Sequence, residues 1–314
     1  MSATQDDYGL TRENPTTFAG SHGTEPADPS TPNHAARQEL PLAPPSVKVS
    51  RLPEPLRDGD KPLAVGEVRE KYLRTQRASW TADGRTSKYE RHRYQVYPRI
   101  LEADRQFQEN YEGLTTAMLT RRLSPLDDND NWLTPWECNE MLHGGTVNKS
   151  VRQALNYQLG EFSFEWVAVT SPTRSAGTPH EHIYLWIDDP ENDVTPNHLV
   201  SALGKHLKYC ANAYQKHHPY RADGTDGAIT VEHSPRIVES VPEKIHGILE
   251  ETEGSARPNT AGAQYLASQL AHLPLADYYD GQRENPPDPL LEGAALAWAS
   301  PHRWFRTSGG VPKI

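Results

Sequence analysis

The alternation of apolar and polar positions divides this chain into four parts. From Met1 to about Leu52 polar residues and prolines run with almost no aliphatic periodicity, so residues 1–52 are expected to be disordered. Residues 53–113 carry two helical patterns, a weakly amphipathic one from Leu63 to about Trp80 and another from Tyr89 to Tyr111. Residues 114–280 hold the strands. Leu114–Thr120 alternates and is Thr-rich. Phe162–Thr170 is the clearest aliphatic strand. Thr178–Ile187 follows it after a Ser171–Gly177 turn, which predicts a hairpin.

Helices are expected between and after these strands. Thr134-Pro-Trp-Glu137 places Thr at an N-cap, Pro at N1 and Glu at N3, and opens a helix ending at Gly144. Val147–Leu159 is helical, and Thr195-Pro starts a long helix reaching about His217. Ala228–Glu232 is a short strand, and Thr260–Leu273 a helix rich in small residues. Residues 281–314 read as a proline-rich link, a short helix over Leu290–Trp298 and a polar tail. The order of elements predicts an α+β domain, an antiparallel sheet with flanking helices.

Composition narrows the class. Hydrophobic residues make up 35% of 314, with a mean hydropathy of -0.77, so the whole chain cannot be core. Two cysteines, Cys138 and Cys210, suggest neither a disulfide framework nor a zinc finger. No apolar run is long enough to span a membrane, and no signal-peptide core follows Met1, so a cytoplasmic location is expected. The formal net charge of -10 argues against nucleic acid unless basic groups are concentrated locally. A candidate run exists: Arg85, Lys88, Arg91, Arg93, Arg99 and Arg105, interleaved with Tyr89, Tyr94 and Tyr97.

The chemistry concentrates in Thr178-Pro-His-Glu-His-Ile-Tyr-Leu-Trp-Ile187. A strand sends alternate side chains to opposite faces, so His180, His182, Tyr184 and Trp186 share one face. Glu181, Ile183, Leu185 and Ile187 share the other, mostly aliphatic face. Two imidazoles side by side on a strand suit a divalent metal, and their aromatic neighbours suit base stacking. His-x-His alone is a weak motif in a chain with 14 histidines; the strand around it is what gives it weight.

A Thr-containing strand, a His-x-His strand and a downstream helix with a single tyrosine, Tyr265, occur here in that order. The chain thereby resembles the HUH-superfamily rolling-circle replication initiators, the Rep proteins of haloarchaeal plasmids and pleomorphic viruses, over about Thr115–Leu273. Leu114–Thr120 matches that family's motif I, His180 and His182 its metal pair, and Tyr265 its nucleophile. The resemblance implies a ferredoxin-like, split βαβ core. It further implies a divalent cofactor, Mg²⁺ or Mn²⁺, and tyrosine attack on single-stranded origin DNA. The products would be a 5′-phosphotyrosine and a free 3′-hydroxyl primer, with later rejoining of the strand.

The chain departs from the pattern twice. Glu181 stands where the family has a hydrophobic residue, and Ser268 where it has a lysine three residues after the tyrosine. Glu165, Gln269 and Asp188 are candidates for a third ligand, and Tyr278 and Tyr279 for an alternative nucleophile. No phosphate-binding Gly-x-x-x-x-Gly-Lys-Ser/Thr loop occurs, so a host helicase and polymerase would be partners. The competing readings are a non-catalytic DNA-binding regulator and a metal phosphoesterase without a covalent intermediate.

Overall fold

The computed structural model describes residues 39–52, 57–81, 88–172, 178–238, 258–271, 295 and 304–312. It is an α+β fold built on a five-stranded antiparallel sheet covered by helices on both faces. Strands β1 (Arg57–Asp58) and β2 (Lys61–Pro62) form a small ribbon ahead of helices α1 (Val65–Thr81) and α2 (Lys88–Asn110). Then come β3 (Leu114–Arg121), α3 (Pro135–His143), α4 (Gly145–Gln158), β4 (Ser163–Pro172), β5 (Pro179–Asp188) and α5 (Asn197–Tyr209). Strands β6 (Ile229–Glu232), β7 (Ile237–Val238) and β8 (Asn259–Thr260), helix α6 (Ala261–Ala271) and strand β9 (Phe305–Thr307) complete it. The sheet order is β6-β3-β5-β4-β9, so the histidine strand is the central one.

Local chemistry explains most of these boundaries. Strand β3 lies antiparallel to β5 with Thr120 opposite His182, and β4 pairs β5 on its other side with Val169 opposite His182. The expected hairpin closes with Pro172 opposite Pro179. The Thr134 capping box forms as expected, with Glu137 N–H donating to Thr134 Oγ1 and the Glu137 carboxylate accepting from Thr134 N–H.

Three expectations need correction. The disordered segment does not extend to Leu52: within residues 39–52, Leu42, Ala43 and Leu52 are buried, and Leu42 exchanges backbone contacts with Leu63 and Trp136. The helix from Thr195 does not reach His217, because it ends at Tyr209 and the chain turns through Asn212 at φ 64°; a separate 3-10 turn covers Gln215–His217. The C-terminal tail is not merely polar coil: Phe305–Thr307 pairs with β4 as an edge strand. Of the expected helix Leu290–Trp298, only Ala295 lies within the described residues, and Tyr278 and Tyr279 lie outside them.

Both faces of the sheet are buried. On the Glu181 side, Val147, Val151 and Leu155 of α4 and Leu199 and Leu203 of α5 pack on Ala117, Leu119, Ile183, Leu185 and Ile187. On the histidine side, Tyr72, Ile100, Leu101 and Phe107 of α1 and α2, with Ala263, Leu266 and Ala267 of α6, pack on Val167, Val169, Tyr184 and Trp186. The helices of the 53–113 segment thus share one core with the sheet. Tyr184 and Trp186 are at most 2% exposed, so base stacking, the role suggested for the aromatics of that face, is closed to them.

Candidate active site

His180 and His182 project from one face of β5, ring centroids 4.8 Å apart and nearly perpendicular at 89°. His182 is 4% exposed and His180 is half-buried. The hydroxyl of Thr120, its neighbour across the ladder, sits 3.0 Å from His182 Nδ1. The two outer nitrogens, His182 Nε2 and His180 Nδ1, are buried without a hydrogen-bond partner. Buried polar atoms left in this way are uncommon and point to an absent partner. Burial first, and then the nearby Arg122 charge, push His180 down to about 3, against a smaller upward pull from the Ser171 backbone opposite it in the ladder. Burial, His180 and Arg122 hold His182 well below the ordinary imidazole range. Both rings are therefore neutral at neutral pH, the form that ligates metals. Two unpartnered, neutral imidazole nitrogens fit a divalent cation, with Thr120 as the outer partner that orients one of them.

The tyrosine comes from the helix packed on the histidine face of the sheet. Tyr265, in the second turn of α6, lies edge-on to His182, ring centroids 5.4 Å apart at 77°. Three features fix it there. Thr260 caps the helix, its Oγ1 accepting from Ala263 N–H at 3.3 Å. Asp104 of α2, fully buried, accepts from Thr260 N–H at 2.7 Å, Thr260 Oγ1 at 2.6 Å, Trp186 Nε1 at 2.7 Å and Gln108 Nε2 at 2.8 Å. The Tyr184 hydroxyl lies 2.8 Å from the same Thr260 Oγ1. One carboxylate thereby ties the start of α6 to α2 and to the histidine strand. Burial raises the Asp104 carboxyl above its usual range despite these four hydrogen bonds. Finally, Gly262 lets the helix touch the sheet: a Cβ there would stand 2.5 Å from Tyr184 Cε2. Gly262 and Tyr265 are one helical turn apart, as Tyr184 and His182 are one strand repeat apart, so the close approach at one pair sets the approach at the other.

The remaining candidates are placed elsewhere. Glu165 lies opposite Trp186, four strand residues from His182's partner Val169, and accepts from Gly310 N–H at 3.1 Å. Asp188 is at the far end of β5, opposite Leu114, and accepts from Gly113 N–H at 3.2 Å. Gln269 is on α6, but its side chain is outside the described residues. Among the described residues no cluster of three or more His, Cys, Asp or Glu side chains is arranged to hold a metal ion. In the basic run, Arg99 donates to Val311 O and Thr307 Oγ1 and so holds the C-terminal strand, while Arg105 pairs with Glu102. The side chains of Arg85, Lys88, Arg91 and Arg93 are outside the described residues.

Glu181 faces away from the histidines. It is fully buried, paired with fully buried Arg121 and with Arg306, near His143 at 3.9 Å and Thr170 at 3.5 Å. Burial alone would raise this carboxyl; Arg121, then Arg306 and His143, hold it well below the usual carboxylate range. Arg121 also donates to Asn148 at 2.8 Å. Sequence pattern missed this network and Asp104 alike. The signal for Asp104 was indirect: a buried indole such as that of Trp186 needs an acceptor.

Residues 76–314 match the family model described as "Putative rep protein (DUF1424)". The chain is also 26% identical over 225 residues to an "Uncharacterized 36 kDa protein" of Halobacterium salinarum, covering 71% of this chain and 63% of that protein. No solved structure matches.

Proposed function

From the premise that the chain belongs to this rep-protein family, we propose that it is a rolling-circle replication initiator of the HUH type, nicking and rejoining single-stranded origin DNA through Tyr265. The observation that carries the reading is the edge-on contact of Tyr265 with His182, beside two buried imidazole nitrogens that lack partners.

In this reading His180 and His182 hold a divalent cation, Mg²⁺ or Mn²⁺, with nitrogen donors suiting the second better. When bound, the cation polarises the scissile phosphate and neutralises developing charge. The chain's own residues do the rest. Thr120 orients the His182 ring. Asp104, Thr260 and Gly262 hold α6 against β5, so Tyr265 approaches the phosphate already positioned, which removes orientational entropy from the barrier. Tyr265 Oη forms a bond to phosphorus, its proton passes to solvent, and the bond to the 3′-oxygen breaks. The departing oxygen takes a proton from water to become the 3′-hydroxyl. The 5′ strand remains on the enzyme as an aryl phosphodiester, and attack by a 3′-hydroxyl reverses the step. No helix among the described residues is long and apolar enough to cross a membrane. Unwinding and synthesis fall to a separate helicase and polymerase.

The test uses a labelled pool of random single-stranded oligonucleotides with Mn²⁺, resolved on denaturing gels. The expected result is a covalent protein–DNA band absent from Tyr265→Phe, and sequencing the trapped strands reads the origin. Cleavage without a band would favour a phosphoesterase. Binding without cleavage would favour a regulator.

A further inference from the structure

Arg122 is the first residue beyond the β3 ladder. The register pairs Thr120 with His182 and Arg121 with Glu181, so continuing it sets Arg122 opposite His180. Strand alternation puts its side chain on the Thr120 side, the histidine side, and away from the Arg121–Glu181 network. The residue is half-buried, leaving part of it open to solvent.

Two buried histidines on other elements hold its backbone. His206 of α5 lies with Nε2 2.9 Å from the Arg122 carbonyl, and the Arg122 N–H donates to His218 Nε2 at 3.1 Å. His218 Nδ1 in turn lies 2.8 Å from the Tyr214 carbonyl. With its Nε2 accepting, His218 carries its proton on Nδ1 and donates it to Tyr214; His206 donates through Nε2. The two rings pack edge to face, centroids 5.2 Å apart. Where the strand ladder stops, imidazoles satisfy both backbone groups of this one residue. The mechanism above uses neither ring, yet together they fix the backbone of the arginine whose register position lies opposite His180.

We propose that Arg122 binds a DNA phosphate at the His180–His182 site, held in register by the His206 and His218 clamp. This rests on the nicking reading and adds to it a specific anion contact. A planar guanidinium is the side chain best shaped to grip phosphate oxygens, and an acidic chain needs such a charge placed locally.

The test separates phosphate binding from chemistry. Fluorescence anisotropy measures a random 20-nucleotide single-stranded pool binding to the Tyr265→Phe protein with Mn²⁺ across a salt series. Adding Arg122→Ala should weaken binding roughly tenfold and flatten the slope of log K against log[salt] by about 0.7, the loss of one phosphate contact. Arg122→Lys should keep the slope. Should the Ala variant fail to fold, Arg122→Gln with an unchanged melting profile is read in its place. An unaltered slope in the neutral variant overturns the proposal. A flattened slope together with no covalent band from the wild-type protein keeps the phosphate site and discards the tyrosine chemistry. No binding by the parent protein overturns both.

Discussion

Replacing Gly262 by alanine tests how closely α6 must approach the sheet. In an unobstructed helix the change stabilises by roughly 0.5–1 kcal/mol, because glycine loses more backbone freedom on folding. At position 262 the new methyl would stand 2.5 Å from Tyr184 Cε2 and 3.0 Å from its Cζ. Carbon atoms at rest sit about 3.5–4.0 Å apart, so something must move by on the order of 1 Å. Tyr184 cannot yield cheaply: it is 2% exposed, bonded to Thr260 and packed edge-on against Trp186. The helix therefore moves, and Tyr265, one turn on, moves with it. Overpacking costs roughly 1–3 kcal/mol, so the net change is destabilising despite the better helix former. A displacement of about 1 Å at a reacting group costs on the order of a hundredfold in rate. Gly204, within α5, is the matched control, since a Cβ there meets nothing within 4 Å. Urea unfolding should show Gly204→Ala stabilised and Gly262→Ala destabilised. Single-turnover cleavage of a trapped oligonucleotide should fall about a hundredfold only in the second. If Gly262→Ala gains stability like its control and cuts at the wild-type rate, the close packing of α6 on Tyr184 does not position the tyrosine.

Thr120→Val keeps the shape but removes the hydroxyl beside His182 Nδ1; Mn²⁺ affinity measured by titration calorimetry should drop about 10–100-fold, and an unchanged affinity would show the hydroxyl does not orient the ligand. Glu181→Gln leaves Arg121 fully buried without its counter-charge, so unfolding free energy should fall by about 3–5 kcal/mol, with a smaller loss in the Glu181→Leu/Arg121→Met pair; equal losses in the two would refute the charge argument. Burial depresses His206 to about 3 and His218 to about 4. The unfolded chain, with imidazoles near 6.5, therefore binds protons that the folded chain does not. Stability is full above pH 6.5 and declines as pH falls toward 4, by up to about 1.4 kcal/mol per pH unit for each ring. A flat urea midpoint across that range, or the same slope in His206→Gln, would contradict it.

What the sequence disclosed and what it hid follow from one distinction. Period-two alternation and capping motifs are local properties, so they found the His180–His182 face, the β4–β5 hairpin and the Thr134 cap. Those features need only neighbours a few residues away. The parts that turn the face into a site come from far along the chain. Asp104 meets Thr260 across 156 positions, Arg306 meets Glu181 across 125, and His218 meets Arg122 across 96. Nothing in the local pattern around Asp104 distinguishes it from the solvated acids of the same helix; only the burial of its partners does. The same reasoning explains β9. Three residues beside β4 have too little alternation to read as a strand, and they become one because β4 offers an unpaired edge and Arg99 holds the segment that follows. Even Glu181, a departure from the expected hydrophobic position, is accounted for by two distant arginines rather than by its own strand. In this chain the strand pattern places the two histidines, while the groups that hold Tyr265 and Arg122 in place are set by long-range hydrogen bonds.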